Sequence, residues 1–252
     1  MPEPEVTETE TSAPPPAPAV PRPHRLAAAL EVIVASGFPT QLAIGALLVL
    51  AGVSPWNDLQ RLSLVYIVAL LLLDTLVVVG LILWLLMARG ERPAAVFLGP
   101  RPPGREAGLG LACIPLVFGA TTLVLLGLRW ALPWLHNVAA NPFEGAIDST
   151  TDALVLGAAA VIGGGVKEEL QRAFILHRFD QHLGGAKVGV VVYSLVFGAG
   201  HLMQGWDVAI ITMLLGLAWG MIYVRRRSAV APMVSHCGFN AAQILQFLIV
   251  GA

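Results

Sequence analysis

Residues 60–88 read QRLSLVYIVALLLLDTLVVVGLILWLLMA, an apolar run that contains a single acid, Asp74. A helix needs about 20 mostly apolar residues to cross the hydrocarbon core of a bilayer, and this stretch has them. It is too continuous for the alternating pattern of a membrane barrel, and helices are the other way to satisfy every backbone group in lipid. Six more segments qualify, at 28–53, 108–135, 153–183, 188–204, 207–224 and 229–250. Together they predict an all-α, polytopic membrane protein with seven transmembrane helices, or eight if Pro39 divides the first segment. The composition agrees. Of the 252 residues, 56% are hydrophobic and 12% charged, roughly half the charged share of an ordinary soluble domain, and the mean hydropathy is +0.76. A net charge of −1 provides no basic stripe for phosphates, which argues against nucleic acid as a partner. Membrane lipid is the expected surrounding. Cys113 and Cys237 both lie in apolar segments, so no disulfide framework is expected.

Composition also divides the chain. Residues 1–25 alternate acids with prolines and lack the apolar core of a signal peptide, so a solvated tail is expected there. Residues 26–90 hold the first transmembrane helices. Residues 91–107, from Arg92-Pro93 to Pro102-Pro103-Gly104, read as a connector rich in helix breakers. Residues 108–252 form the remaining membrane core. Basic residues cluster after the second, fourth and sixth segments: Arg89, Arg92, Arg101 and Arg105, then Arg178 and Lys187, then Arg225-Arg226-Arg227. By the positive-inside rule this places the N-terminus in the cytoplasm. His177 and His182 read as interfacial, and Trp56, Trp130 and Trp134 as belt anchors.

Ionisable groups inside a bilayer are costly and usually functional. Here they are Asp74, the run Lys167-Glu168-Glu169-Leu170-Gln171-Arg172, His201, and His236 with Asn240. Asp74 is expected to pair with a backbone group, with Arg129, or with one of the polar helices. Arg172 lies three and four residues beyond Glu169 and Glu168, on their face of a helix. Glu168 and His201 stand about equally far from the Gly184-Gly185 turn, so antiparallel helices bring them level. His236 and Asn240 share a face. A carboxylate with His201 suits general-base activation of water, and His236 with Asn240 suits donation to an oxyanion. Glu168, His201 and His236 equally suit a divalent metal such as zinc. Cys237 points about 100° away from its neighbour His236 and reads as packing, and the small residues over 157–165 suggest close helix contacts.

Phe197-Gly198-Ala199-Gly200-His201 and His236-Cys237-Gly238-Phe239-Asn240 make the chain resemble the type II CAAX prenyl endopeptidase and bacteriocin-immunity (CPBP, Abi) family of intramembrane proteases. That family carries Glu-Glu-x-x-x-Arg, Phe-x-x-x-His and His-x-x-x-Asn on successive helices. The resemblance covers residues 150–250. It implies an endopeptidase in which Glu168 or Glu169 and His201 activate water, Arg172 orients, and His236 and Asn240 support the oxyanion. It also implies a membrane-associated or lipidated peptide substrate, metalloprotease chemistry in some accounts, and a bacterial inner membrane. The first motif is slipped, because two residues rather than three separate Glu169 from Arg172. Anchoring on Arg172 sets Lys167 and Glu168 in the glutamate positions, and a helix bulge after Gly163-Gly164-Gly165 is one way to absorb the slip. Two rival functions fit the same polar residues: a proton-coupled transporter, and an inactive scaffold or immunity protein.

Overall fold

The computed structural model describes residues 22–250. The expected tail therefore lies outside the described residues as far as residue 21. Helix α1 (Arg22–Ala35) and helix α2 (Phe38–Leu50) make up most of the first expected segment and are bent by 41° against each other. The break falls at Gly37, whose φ of +83° is in the left-handed region that a side chain disfavours. Pro39 then occupies the first turn of α2, where its missing N–H costs no hydrogen bond. Helix α3 (Leu64–Ala88) starts on the Ser63 hydroxyl, which accepts from the Tyr66 N–H. A short α4 (Pro93–Phe97) precedes the long α5 (Pro103–Ala131). Next come α6 (Thr150–Ala160), a π segment (Val161–Lys167) and α7 (Glu168–His182), which run on as one continuous rod. Helices α8 (Ala186–Ala199), α9 (Trp206–Arg226) and α10 (Val230–Val250) complete the bundle. No strand occurs among the described residues; Trp56 and Leu62 form one isolated bridge between α2 and α3.

Four helices, α3, α5, α9 and α10, are long and apolar enough to cross a membrane, and the α1–α2 pair makes a fifth if it counts as one bent span. Length and apolarity do not establish the other two of the seven expected spans. The rod carries Lys167, Glu168, Glu169, Arg172 and Arg178 through its second half. Helix α8 has 14 residues, about 21 Å of helix against a core of about 30 Å.

Position in the bundle explains why so charged a rod is tolerated. It is enclosed by α1, α3, α8, α9 and α10, while the outer faces of α3 and α5 expose Val65, Leu76, Leu116 and Leu123. Arg178, expected as a loop charge, is instead fully buried in α7 and binds Glu31 of α1 and Glu91. Arg89 binds Glu31 as well, and His177 binds Glu91. These ion pairs fasten the first helix and the connector to one end of the rod. Burial alone would raise the Glu91 pKa. The hydrogen bond from His177 and the charge of Arg178 outweigh it and hold the carboxyl below its ordinary range. The sequence offers no simple sign of this cluster, because its acids lie far from α7 along the chain.

Candidate active site

The π segment sets the site's geometry. Its wider turns shift the usual backbone hydrogen-bond register by one residue. Helix α10 adds contacts at its start: Asn240 Nδ2 donates to the Ala160 carbonyl at 3.0 Å, and the Cys237 thiol to the Val161 carbonyl at 3.7 Å. Gly164 and Gly165 make room for this. A Cβ on Gly164 would stand 2.7 Å from Asn240 Nδ2, and one on Gly165 would overlap Cys237 Sγ. Any side chain there would push α10 outward. The packing reading of Cys237 thus fits, and the bulge expected near Gly163-Gly164-Gly165 is the π segment.

Beyond the glycines, three consecutive residues point three ways. Lys167 turns to α3, where its ammonium meets Asp74 Oδ2 at 2.8 Å, with both side chains buried. The Asp74 carboxylate also accepts from Thr40 Oγ1 at 2.5 Å and from Gln41 Nε2 at 3.2 Å. The alternative partner, Arg129, is engaged elsewhere: it binds Asp207 at 2.9 Å, as does His136. Glu169 turns inward and pairs with Arg172, both fully buried. The Arg172 guanidinium lies against the rings of Tyr193, Phe197 and Trp219, at 5.1, 5.0 and 5.5 Å from their centroids. Such contacts offset part of the cost of a buried cation. Glu168 is the least enclosed of the three, with 21% of its side chain exposed.

The imidazoles complete the arrangement. His236 Nδ1 lies 2.8 Å from Glu169 Oε1. A carboxylate only accepts, so the hydrogen sits on Nδ1, and a neutral His236 keeps its lone pair on Nε2. Trp219 stacks on the same ring at 3.9 Å between centroids, with 19° between planes, and anchors its own indole N–H on Ser235 Oγ. The free Nε2 stands 4.0 Å from Glu168 Oε2. His201, just past the end of α8, donates from Nδ1 to the Phe197 carbonyl at 2.9 Å, so its Nε2 too has no protein partner among the described residues. The Phe197 ring lies between the two imidazoles, 5.1 Å from His201 and 6.3 Å from His236.

Glu168, Glu169, Arg172, His201 and His236 are therefore brought together around Phe197 and Trp219. Asn240 stands nearby, with one of its two amide N–H groups bound to the rod's backbone. His236 presents no free donor for an oxyanion in this state, because its one N–H already faces Glu169. For zinc, the Nε2 atoms of both histidines are without a hydrogen-bonded protein partner among the described residues, as metal-binding nitrogens must be. Yet among the described residues no three His, Cys, Asp or Glu groups converge closely enough to hold an ion. The set Glu168, His201 and His236 does not fit a metal as it stands. Trp219 went unread in the sequence, where nothing marked it. Asp74, expected to reach a backbone group, Arg129 or a polar helix, meets the last of these through Lys167.

Residues 150–242 match the family model of the type II CAAX prenyl endopeptidases, Rce1-like. The matched stretch begins at α6, ends within α10 and contains Glu168, Glu169, Arg172, His201, His236 and Asn240. Helices α1 to α5 lie outside it. No curated protein and no solved structure matches the chain.

Proposed function

We propose that the chain is an intramembrane endopeptidase that uses Glu168 as its general base. The observation that carries this reading is the 4.0 Å gap between Glu168 Oε2 and His236 Nε2. That is too long for a direct hydrogen bond, and it suits one water that donates to both acceptors. Glu169 and Trp219 fix the His236 ring from two sides, so this water has a defined place. His201 offers a further lone pair from Nε2 beside it.

In the reaction, Glu168 takes a proton from the water as its oxygen bonds to the scissile carbonyl carbon. His236 accepts the water's second hydrogen and aims the oxygen's lone pair at that carbon. Glu168 then passes its proton to the departing amide nitrogen, and the C–N bond breaks. Asn240 serves this site by holding the π segment rather than by touching the substrate. The match to the CAAX endopeptidases supports a membrane-associated substrate, of which a lipidated C-terminal peptide is the first to try. Helix α7 of the rod then acts as an inner element, shielded from lipid by the apolar helices, while α8 turns Val188, Val191, Val192 and Leu195 outward, with the site on the cytoplasmic side.

The test is cleavage of membrane-tethered, quenched fluorescent peptides, lipidated and plain, by the protein in liposomes. Glu168→Gln should lower the rate by about 100-fold or more, the usual worth of a general base, without unfolding the protein. His236→Ala should do likewise. A folded Glu168→Gln variant that cleaves at the wild-type rate removes Glu168 from the chemistry.

A further inference from the structure

Three carboxylates and two strong cations meet around the rod: Asp74, Glu168 and Glu169 against Lys167 and Arg172. Arg172 is committed to Glu169 and Lys167 to Asp74. Glu168 is thus the carboxylate of the group left without a cation. The imbalance depends on Asp74, which stands on α3 outside the matched stretch. Its carboxylate is held by three residues from two elements, Thr40 and Gln41 of α2 and Lys167 of the π segment. A buried ammonium does not stay unpaired. Lys167 sits on a flexible four-carbon stem, and the next residue along the chain is Glu168.

We propose that Asp74 is a positioning residue of this site: it clamps Lys167 against α3 and thereby keeps Glu168 free of a cation. The proposal rests on the reading of Glu168 as the base. Without the clamp, the lysine closes on Glu168, the pair becomes neutral overall, and the carboxylate held by the ammonium is a weaker base for the water's proton. Lys167, which stands where the family's motif has a glutamate, is accommodated by an acid supplied from another helix.

The test compares Asp74→Asn, Asp74→Asn with Lys167→Met, and Asp74→Asn with Gln41→Glu, all in liposomes. Cleavage is read per folded molecule, and contacts are read by a membrane-permeant carbodiimide, which joins touching amines and carboxylates. Asp74→Asn keeps the shape and the bond accepted from Thr40, and Gln41 can turn its amide oxygen towards the new N–H. The variant should nonetheless lower kcat by about 100-fold, the worth of the base it disables, while KM stays within a few-fold. The cross-link of Lys167 should move from Asp74 to Glu168. Removing the ammonium with Lys167→Met, or returning an anion at position 41 beside the same lysine, should recover most of the lost rate. A purely structural role predicts lower folded yield but an unchanged rate per folded molecule, and that result overturns the proposal. So does a folded double variant as slow as Asp74→Asn, or a lysine that never cross-links to Glu168. Should Asp74→Asn fail to fold, the two double variants still decide the matter, since both remove the unpaired charge. A wild type that cleaves nothing refutes the peptidase reading instead, and the cross-links then decide the clamp alone.

Discussion

Asn240→Ala separates two roles that the sequence leaves joined. In the structure its amide donates to the Ala160 carbonyl at 3.0 Å, against the Gly164 backbone. Truncation removes that donor from a part-buried carbonyl at the mouth of the π segment. Losing one such hydrogen bond costs about 0.5–1.5 kcal/mol, and the absent side chain leaves space that adds to it. The expected result is therefore a loss of stability of that order, read as a lower unfolding midpoint in detergent. The rate per folded molecule should fall by less than about 10-fold, because the amide's bond is to the rod's backbone and not to Glu168 or His236. An oxyanion donor behaves differently: its removal costs about 100- to 1,000-fold in kcat with little change in stability. Cleavage by Asn240→Ala, normalised to folded protein in the same liposomes, distinguishes the two. A fall of 100-fold or more with an unchanged unfolding midpoint would refute the assignment of Asn240 to the backbone.

Three further outcomes follow from the geometry. Trp219→Phe should keep the stack on His236 and most of the activity, whereas Trp219→Ala should cost about 3–5 kcal/mol and release the ring, as unfolding and cleavage assays will show. Glu91 has a folded pKa held below its unfolded value, so its contribution is complete above the unfolded pKa of about 4.3 and is lost as pH falls through the folded pKa. Unfolding midpoints followed downward from neutral pH should therefore drop more steeply in wild type than in Glu91→Gln; parallel curves would contradict this. Chelators should leave cleavage unchanged, since the site residues do not fit a metal, and inhibition that added zinc reverses would restore one.

The sequence carried the broad outline because its informative signals are local. Apolar runs of sufficient length marked α3, α5, α9 and α10, and polar residues stranded in apolar surroundings marked Glu168, Glu169, Arg172, His201 and His236. Helical spacing then placed the glutamates and His201 at one level. Long-range pairing was less legible. Arg178 reads as a loop charge until Glu31 and Glu91 are seen around it, and Asn240 reads as a free donor until the π segment presents a carbonyl. The expected spans over 153–183 and 188–204 rested on hydropathy, which registers neither the charges of the rod's second half nor the length of α8: α8 exposes an apolar face but has 14 residues.

The rod Thr150–His182 resembles a screw cut with two pitches. On either side of Val161–Lys167 the thread advances by about 3.6 residues per turn, and within it by more. Crossing the wide section changes the phase of everything downstream, which selects the member of Lys167, Glu168 and Glu169 that confronts the imidazoles. A motif defined by counting residues assumes one pitch throughout. Here the count is off by one directly after a π segment, so chains of this kind are better compared by helical phase than by spacing.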